Sequence, residues 1–501
     1  MTEPIFETIK VCDRAGEFTQ QVKVECKTDL LTSDVAKILN VCAVPNTCNG
    51  EINASQIKYS GRVVFYVIYL DNNGVVNNCE CSSEYSGAIS ATLPDGAYVK
   101  TDVWSQKVEY DISGNKLIVA SYLLLTFNAY ANNSIKLLCA SDDFICDKKE
   151  LSYVKGYGLK KGVYPMEEEY ELNYALSKIL SQKAKAHVTA VQCGVGCIIV
   201  DGQLYTSVLL LQNIEKSDII REEKIFPFRM EIEYDEAMPA MNALARVSEK
   251  SFKLDATIDG DNNKSKLSFS VTLCFEGEAF STENITAPID LFSLTKVVET
   301  EKDCKSYLVP IGVKTITSKV KGRCASDTLP AGARLMSVNN ESVEILSSER
   351  KGENLVVSGV ASMTGLLRDS EGVEFSVDWQ TPFETQVDLQ LKDCYQVEVS
   401  VFTFKPSARI ISINEAEIEI DISLCLSVYE KGCINYLKSA KCGENKKVNT
   451  SPISVYIARS GEDLWSLSKR LNVCPDQLIE NNTELQFPLT GEERIVVYRQ
   501  K

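Results

Sequence analysis

The stretch Glu417-Ile418-Glu419-Ile420-Asp421-Ile422-Ser423-Leu424-Cys425-Leu426-Ser427-Val428 alternates polar and apolar side chains over twelve residues. Successive side chains of an extended chain point to opposite faces, so this spacing predicts a long strand with one buried face. Such a strand needs a second layer over its apolar face, which points to a β-sandwich. The same alternation appears upstream in Leu267, Phe269, Val271, Leu273 and Phe275, and again from Leu117 to Phe127.

A second pattern precedes each of these strands. Ile57-Lys58-Tyr59-Ser60-Gly61 leads into Val63 to Tyr69, Ile198-Ile199-Val200-Asp201-Gly202 into Leu204 to Leu211, and Leu355-Val356-Val357-Ser358-Gly359 into Val360 to Leu367. Each reads as a strand broken at its glycine by a bulge or bend. Ala36-Lys37-Ile38-Leu39 and Ser177-Lys178-Ile179-Leu180 read as short helices, and Leu335 to Leu346 as their counterpart without the Lys-Ile-Leu signature. Gly61 to Gly202 spans 141 positions and so does Lys37 to Lys178; Leu117 to Leu267 spans 150 and Leu267 to Ile418 spans 151. Landmarks keeping common offsets indicate internal repetition with a unit far longer than that of a solenoid. The expectation is a mainly β chain of three tandem antiparallel β-sandwich-like repeats over 1–150, 151–297 and 298–442.

Residues 443–453 are polar (Gly443, Glu444, Asn445, Lys446, Lys447, Asn449) and read as a linker. Residues 454–500 change pattern. Ser454 to Ala458 is a short strand, and Ser460-Gly461-Glu462 a turn. Leu464, Leu467 and Leu471 have helical spacing, Pro475 and Asp476 suit the first turn of a second helix, and Arg494 to Tyr498 is a closing strand. This is a small α+β unit of βααβ order.

Composition narrows the functions available. The 501 residues carry 53 basic and 69 acidic side chains, a formal charge of −16. Phosphate backbones demand clustered Lys and Arg, so no nucleic-acid partner is expected. Between 452 and 501 there are six basic and seven acidic residues, so all but one of the excess negative charges lie upstream. No run of about 18 apolar residues occurs, so no transmembrane segment is expected. Met1 to Glu7 lacks the basic start and apolar run of a signal peptide, which points to a chain made and kept in a cytoplasm.

Catalytic patterns are sparse. No Gly-x-x-x-x-Gly-Lys-Ser/Thr or Gly-x-Ser-x-Gly sequence occurs. The only histidine, His187, has no assigned partner and reads as a surface or packing residue. Glu167-Glu168-Glu169 reads as a solvated acidic turn. The 18 cysteines contain no C-x-x-C; Cys79-x-Cys81 and Cys193-x-x-x-Cys197 are the closest pairs. They read as reduced structural thiols first, disulfides second and metal ligands last. No cofactor, no metal and no enzymatic activity are expected.

The segment Val455-Tyr456-Ile457-Ala458-Arg459-Ser460-Gly461-Glu462-Asp463-Leu464-Trp465-Ser466-Leu467-Ser468-Lys469-Arg470 resembles the opening of a LysM module. That resemblance implies a shallow groove for N-acetylglucosamine-containing glycan, peptidoglycan or chitin-like, formed by Ser460, Gly461, Glu462, Asp463, Leu464, Trp465, Ile479, Asn481 and Asn482. Trp465 would either stack on sugar or pack over the module's own core. The usual Gly-Asp-Thr-Leu is Gly461-Glu462-Asp463-Leu464 here, with glutamate in the expected capping position. The usual Asn-Pro after the second helix is Asn481-Asn482. Both departures leave a protein ligand open.

Together with Val24-Glu25-Cys26 and Ser33-Asp34-Val35-Ala36-Lys37-Ile38-Leu39, three β repeats ahead of one such module resemble the SPOCS-domain proteins of spore formers. This implies a non-enzymatic morphogenetic adaptor of the spore coat. It would bind the ATPase of the coat basement layer, at the forespore surface in the mother-cell cytoplasm and later in the coat. A peptidoglycan-binding cell-wall protein is the alternative.

Overall fold

The alternation quoted above lies in strand β19 (Glu415–Asn445), where Ile418, Ile420, Ile422, Leu424 and Leu426 are fully buried. A computed structural model describes residues 5–29, 35–46, 48–53, 55–113, 116–140, 144–213, 218–259, 264–326, 328–447 and 451–499. The described chain is mainly β, with twenty-one strands in antiparallel sheets and two short helices.

The first region contains β1 (Ile5–Asp29), β2 (Val35–Pro45), β3 (Asn49–Asn53), β4 (Gln56–Asp71), β5 (Val76–Ser90), β6 (Tyr98–Ser113) and β7 (Lys116–Ala140). One sheet has the order β1-β7-β6; in the other, β2 and β3 lie along one side of β4 and β5 along the other. The second region contains β8 (Ile145–Leu172), β9 (Lys178–Cys193), β10 (Cys197–Asn213), β11 (Asp218–Glu233), β12 (Asn242–Asp259) and β13 (Lys264–Phe292), in sheets β8-β13-β12 and β9-β10-β11. The third contains β14 (Lys296–Ala325), β15 (Arg334–Lys351), β16 (Asn354–Arg368), β17 (Glu374–Asp388), β18 (Tyr395–Ser412) and β19, in sheets β14-β19-β18 and β15-β16-β17. The same strand order thus occurs three times. Each pair of sheets shares one apolar core, around Phe65 and Phe127, Val200 and Phe275, and Val357 and Ile422 respectively.

Two local expectations are corrected. The stretches read as short helices, at 36–39, 177–180 and 335–346, lie on strands β2, β9 and β15. Their two adjacent apolar residues mimic a helical face, yet here they serve two different cores across a β-bulge. Leu39, Leu180 and Met336 are each skipped in the strand register. Ile38, Ile179 and Leu335 accordingly face the cores of their own regions, while Leu39, Leu180 and Met336 converge on one shared cluster. The extra residue of a bulge makes this possible, because it turns two successive side chains away from strict alternation.

The glycines were expected to break their strands, but β4, β10 and β16 run straight through them. The irregularity sits opposite, in the neighbouring strand: the gap between β2 and β3 in the first region, Thr189 in the second and Leu346 in the third. The other neighbour explains the glycines. Gly61, Gly202 and Gly359 face Tyr85, Phe228 and Phe383 directly. A Cβ would come within 2.3 Å of the Tyr85 hydroxyl, 2.2 Å of the Phe228 ring and 2.7 Å of the Phe383 ring. The ring occupies the missing side chain's space.

Each region touches the other two. An apolar cluster draws Val11, Tyr130 and Leu137 from the first, Phe280 and Ile285 from the second, and Tyr307, Leu308 and Ile434 from the third. At its centre lies a polar network built from matching positions. Tyr98 faces Tyr130, Leu244 faces Glu278 and Gln396 faces Tyr429; two residues further along β6, β12 and β18 stand Lys100, Arg246 and Glu398. Lys100 pairs with Glu278 at 2.6 Å with both side chains sealed from water. Glu278 also accepts from the Tyr98 hydroxyl, and Glu398 accepts from the Tyr130 and Tyr429 hydroxyls. Burial disfavours the Lys100 ammonium, but Glu278 and the surrounding oxygens outweigh it and raise its pKa. A second buried acid, Glu341, joins regions two and three through Lys183 at 3.0 Å and Arg221 at 3.1 Å. Burial raises its pKa, but the two cations outweigh that and hold it down to about 2. The lone histidine packs its ring 4.9 Å from that of Phe402, again between these regions.

The boundaries expected at 150/151, 297/298 and 442/443 fall within β8, β14 and β19. The acidic run Glu167 to Glu169, read as a turn, also lies within β8. The front of the expected linker, 443–445, is strand, and its residues Val448, Asn449 and Thr450 lie outside the described residues.

Candidate functional site

The chain after β19 folds as β20 (Ile453–Ile457), α1 (Leu464–Leu471), α2 (Pro475–Glu480) and β21 (Arg494–Tyr498), with β20 and β21 paired antiparallel. Leu467, Leu471, Leu478, Ile495 and Val497 form its core, with Leu464 packed at the margin. Gly461 makes the turn before α1 with φ +78°, in the left-handed region that costs glycine nothing.

The capping residue is Asp463 rather than Glu462. Its carboxylate accepts from the Ser466 N–H at 2.7 Å, and that bond lowers its pKa. Glu462 instead receives a two-pronged bond from Arg470, Nε at 2.6 Å and Nη2 at 2.7 Å, and is held below the usual carboxylate range by it. The glutamate expected at the capping position therefore ties the turn to the far end of α1.

The turn and the loop before β21 are in direct contact. Gly461 N–H donates to Leu489 O at 2.7 Å and Leu489 N–H to Glu462 O at 2.9 Å. That loop is held by the Glu493 carboxylate, which accepts the N–H groups of Thr490, Gly491 and Glu492. These bonds, led by that from Thr490, bring its pKa down to about 2.

The nine residues expected to form the groove divide sharply. Asn482 is consumed internally: its amide donates to Leu478 O and Val496 O and accepts from Val496 N, pinning α2 to β21. Asn481 ends α2. Glu462 and Asp463 are engaged as described. Ser460 and Gly461 are exposed at the turn, and Ile479 is 46% exposed on α2.

Trp465 does neither of the things expected of it. Its indole N–H donates to Asp290 Oδ2 at 2.9 Å, and its ring lies edge-on to Phe292 at 5.2 Å. It docks the module on the end of β13. Lys469 joins the same Asp290 at 2.7 Å, Asn472 donates to Leu294 O at 2.6 Å, and Lys446 donates to Ser293 O at 2.7 Å. Burial raises the Asp290 pKa, but the bonds from Lys469 and Trp465 outweigh it and bring the carboxyl below its ordinary value. Asp290 itself was missed at the sequence level, because nothing local distinguishes an acid whose partners lie some 175 residues away.

The cysteines depart in one place from the expectation of reduced thiols: Cys304 and Cys433 form a disulfide between β14 and β19. Among the described residues no group of three or more His, Cys, Asp or Glu side chains is placed to hold a metal ion, and no helix is long and apolar enough to cross a membrane.

With this geometry in view, no family model, curated protein or solved structure matches the chain.

Proposed function

We propose that the chain is a non-enzymatic scaffold of the spore coat: three SPOCS-like β-sandwich repeats carrying a LysM-like module that presents a protein-binding surface. In this reading it acts at the forespore surface in the mother cell, where the ATPase of the coat basement layer is its partner. The repeats provide the rigid platform and the C-terminal module the grip.

The observation that carries this reading is how the module is held. Trp465, Lys469 and Asn472 on the α1 side are spent on the platform, while Ser460, Gly461 and Ile479 stay exposed. The indole best suited to stacking on sugar is turned inward, and Asn482 is saturated by backbone. What is left is a small apolar and backbone surface on a unit docked against the platform, better matched to a protein than to a glycan.

The test uses the full chain, immobilised, with lysate of sporulating cells and with purified peptidoglycan. Capture of the coat ATPase, reduced at least about tenfold by Ile479→Asp (a loss of about 1.4 kcal/mol), is the expected result. Pelleting with peptidoglycan without capture of the ATPase would establish the cell-wall reading instead.

A further inference from the structure

The Cys304–Cys433 disulfide is unusual in its setting. Both half-cystines are exposed. The strands they join need no such tie to meet, because the ladder pairs Lys305 with Ile434 and Tyr307 with Gly432 on one side and Lys302 with Leu437 on the other. The bond forms part of the wall of an open crevice of about 770 Å³ between the second and third regions, lined also by Glu150, Leu151, Ser152 and Lys302. Lys302 is 60% exposed and lies two positions from Cys304, on the same face of β14.

Two of the chain's other thiols are shielded from this bond. Cys12 and Cys48 are buried, and desolvation pushes their thiols up to about 12 and about 11, so they stay protonated at neutral pH. Cys442 is exposed but sits nine residues along β19 from Cys433, about 30 Å of extended strand. An exposed disulfide is open to a thiolate arriving from outside, and accessible disulfides are the labile ones.

We propose that Cys304–Cys433 is a thiol–disulfide exchange site that accepts an external thiolate, from a low-molecular-weight thiol or from a cysteine of another protein. The thiolate's electron pair forms a new S–S bond to one sulfur. The Cys304–Cys433 bond breaks, and the departing sulfur leaves with its electron pair as a thiolate, which takes a proton from water. One disulfide is exchanged for another, so no separate oxidant or reductant is required. With a protein thiol, the product is a covalent tether at the crevice between the second and third regions.

The experiment treats the oxidised full chain with reduced glutathione, and separately with a small protein bearing one exposed cysteine, and follows both by non-reducing peptide mapping. The expected result is loss of the 304–433 cross-linked peptide and a mixed disulfide on Cys304 or Cys433. This should proceed at least about tenfold faster than unfolding, with Cys12 and Cys48 unmodified. Reaction with glutathione alone assigns the site to small thiols; reaction with both extends it to protein thiols. Survival of the cross-link under conditions that reduce free cystine overturns the proposal. So does loss of the native thermal transition on reduction, which would make the bond a structural staple. The double variant Cys304→Ser/Cys433→Ser provides the check: it should keep the wild-type Tm and take up neither probe there.

Discussion

Lys100 and Glu278 are paired at 2.6 Å where the three regions meet, and Lys469 and Asp290 at 2.7 Å where the C-terminal module meets β13. The distances are nearly equal, but the surroundings are not. The first pair is 5% and 4% exposed, the second 44% and 19%. Water screens the second pair and it contributes little; removing either partner of the first strands a charge in the interior. The centre is thus hard to loosen and the seam easy. The difference separates a permanent platform from a module whose attachment can be tuned.

The harshest way to break this comparison is to remove a core on which the centre rests. Ile422→Asp places an unpaired carboxylate at a fully buried position of β19 and should cost more than about 4 kcal/mol, abolishing the native calorimetric transition. If a full transition survives, the strand is wrongly placed. Next comes Glu278→Ala, which leaves Lys100 buried without its partner and should cost about 3–5 kcal/mol in urea unfolding. Adding Lys100→Met should recover much of that loss, and a double-mutant cycle reads the coupling directly. Asp463→Ala removes the α1 cap and should cost the module about 1 kcal/mol. Asp290→Ala should cost less than about 1 kcal/mol, leave the platform's Tm unchanged, and speed tryptic cleavage after Lys446 or Lys447 as the seam opens.

A pH series sharpens the same contrast, because Asp290 and Lys100 lose their contributions at opposite ends. The Asp290 pKa is lower folded than unfolded, so its contribution is present above the unfolded value of about 3.9 and is lost as pH falls through the folded one. The Lys100 pKa is higher folded, so its contribution is complete below the unfolded value of about 10.4 and is lost as pH rises through the raised one. Protease accessibility of the seam should therefore rise on the acid side, below about pH 4, and the Lys100 contribution to the centre should be lost only in strong alkali.

Much of this architecture can be read from spacing alone. Period-two alternation marks β19 and β13, and the four C-terminal elements follow from a turn, two helical spacings and a closing strand. The bulges escape, because Ile38-Leu39 and Ile179-Leu180 carry the same apolar doublet whether they form a helical turn or feed two cores across a strand. The capping residue escapes because two acids are adjacent and only geometry decides which one reaches Ser466. Trp465 escapes because an indole that can stack on sugar can equally donate to a distant carboxylate. The central network escapes the repeat offsets, since Lys100 to Arg246 spans 146 positions and Arg246 to Glu398 spans 152; only the pairing of β6, β12 and β18 with their neighbours brings the three to matching places.

The length of β13 has a mechanical consequence. Leu267 to Phe275 lie in the second region's own core, Phe280 and Ile285 in the cluster common to all three regions, and Leu291 and Phe292 at its far end, where Phe292 meets Trp465 of the C-terminal module. A single continuous strand thus links the inner core of one region, the hub and the module's anchorage. A load that reaches the end of β13 through the Trp465 and Asp290 contacts passes on into the hub along hydrogen-bonded backbone. The three regions should accordingly yield together, in one cooperative event, and not one after another like beads on a thread.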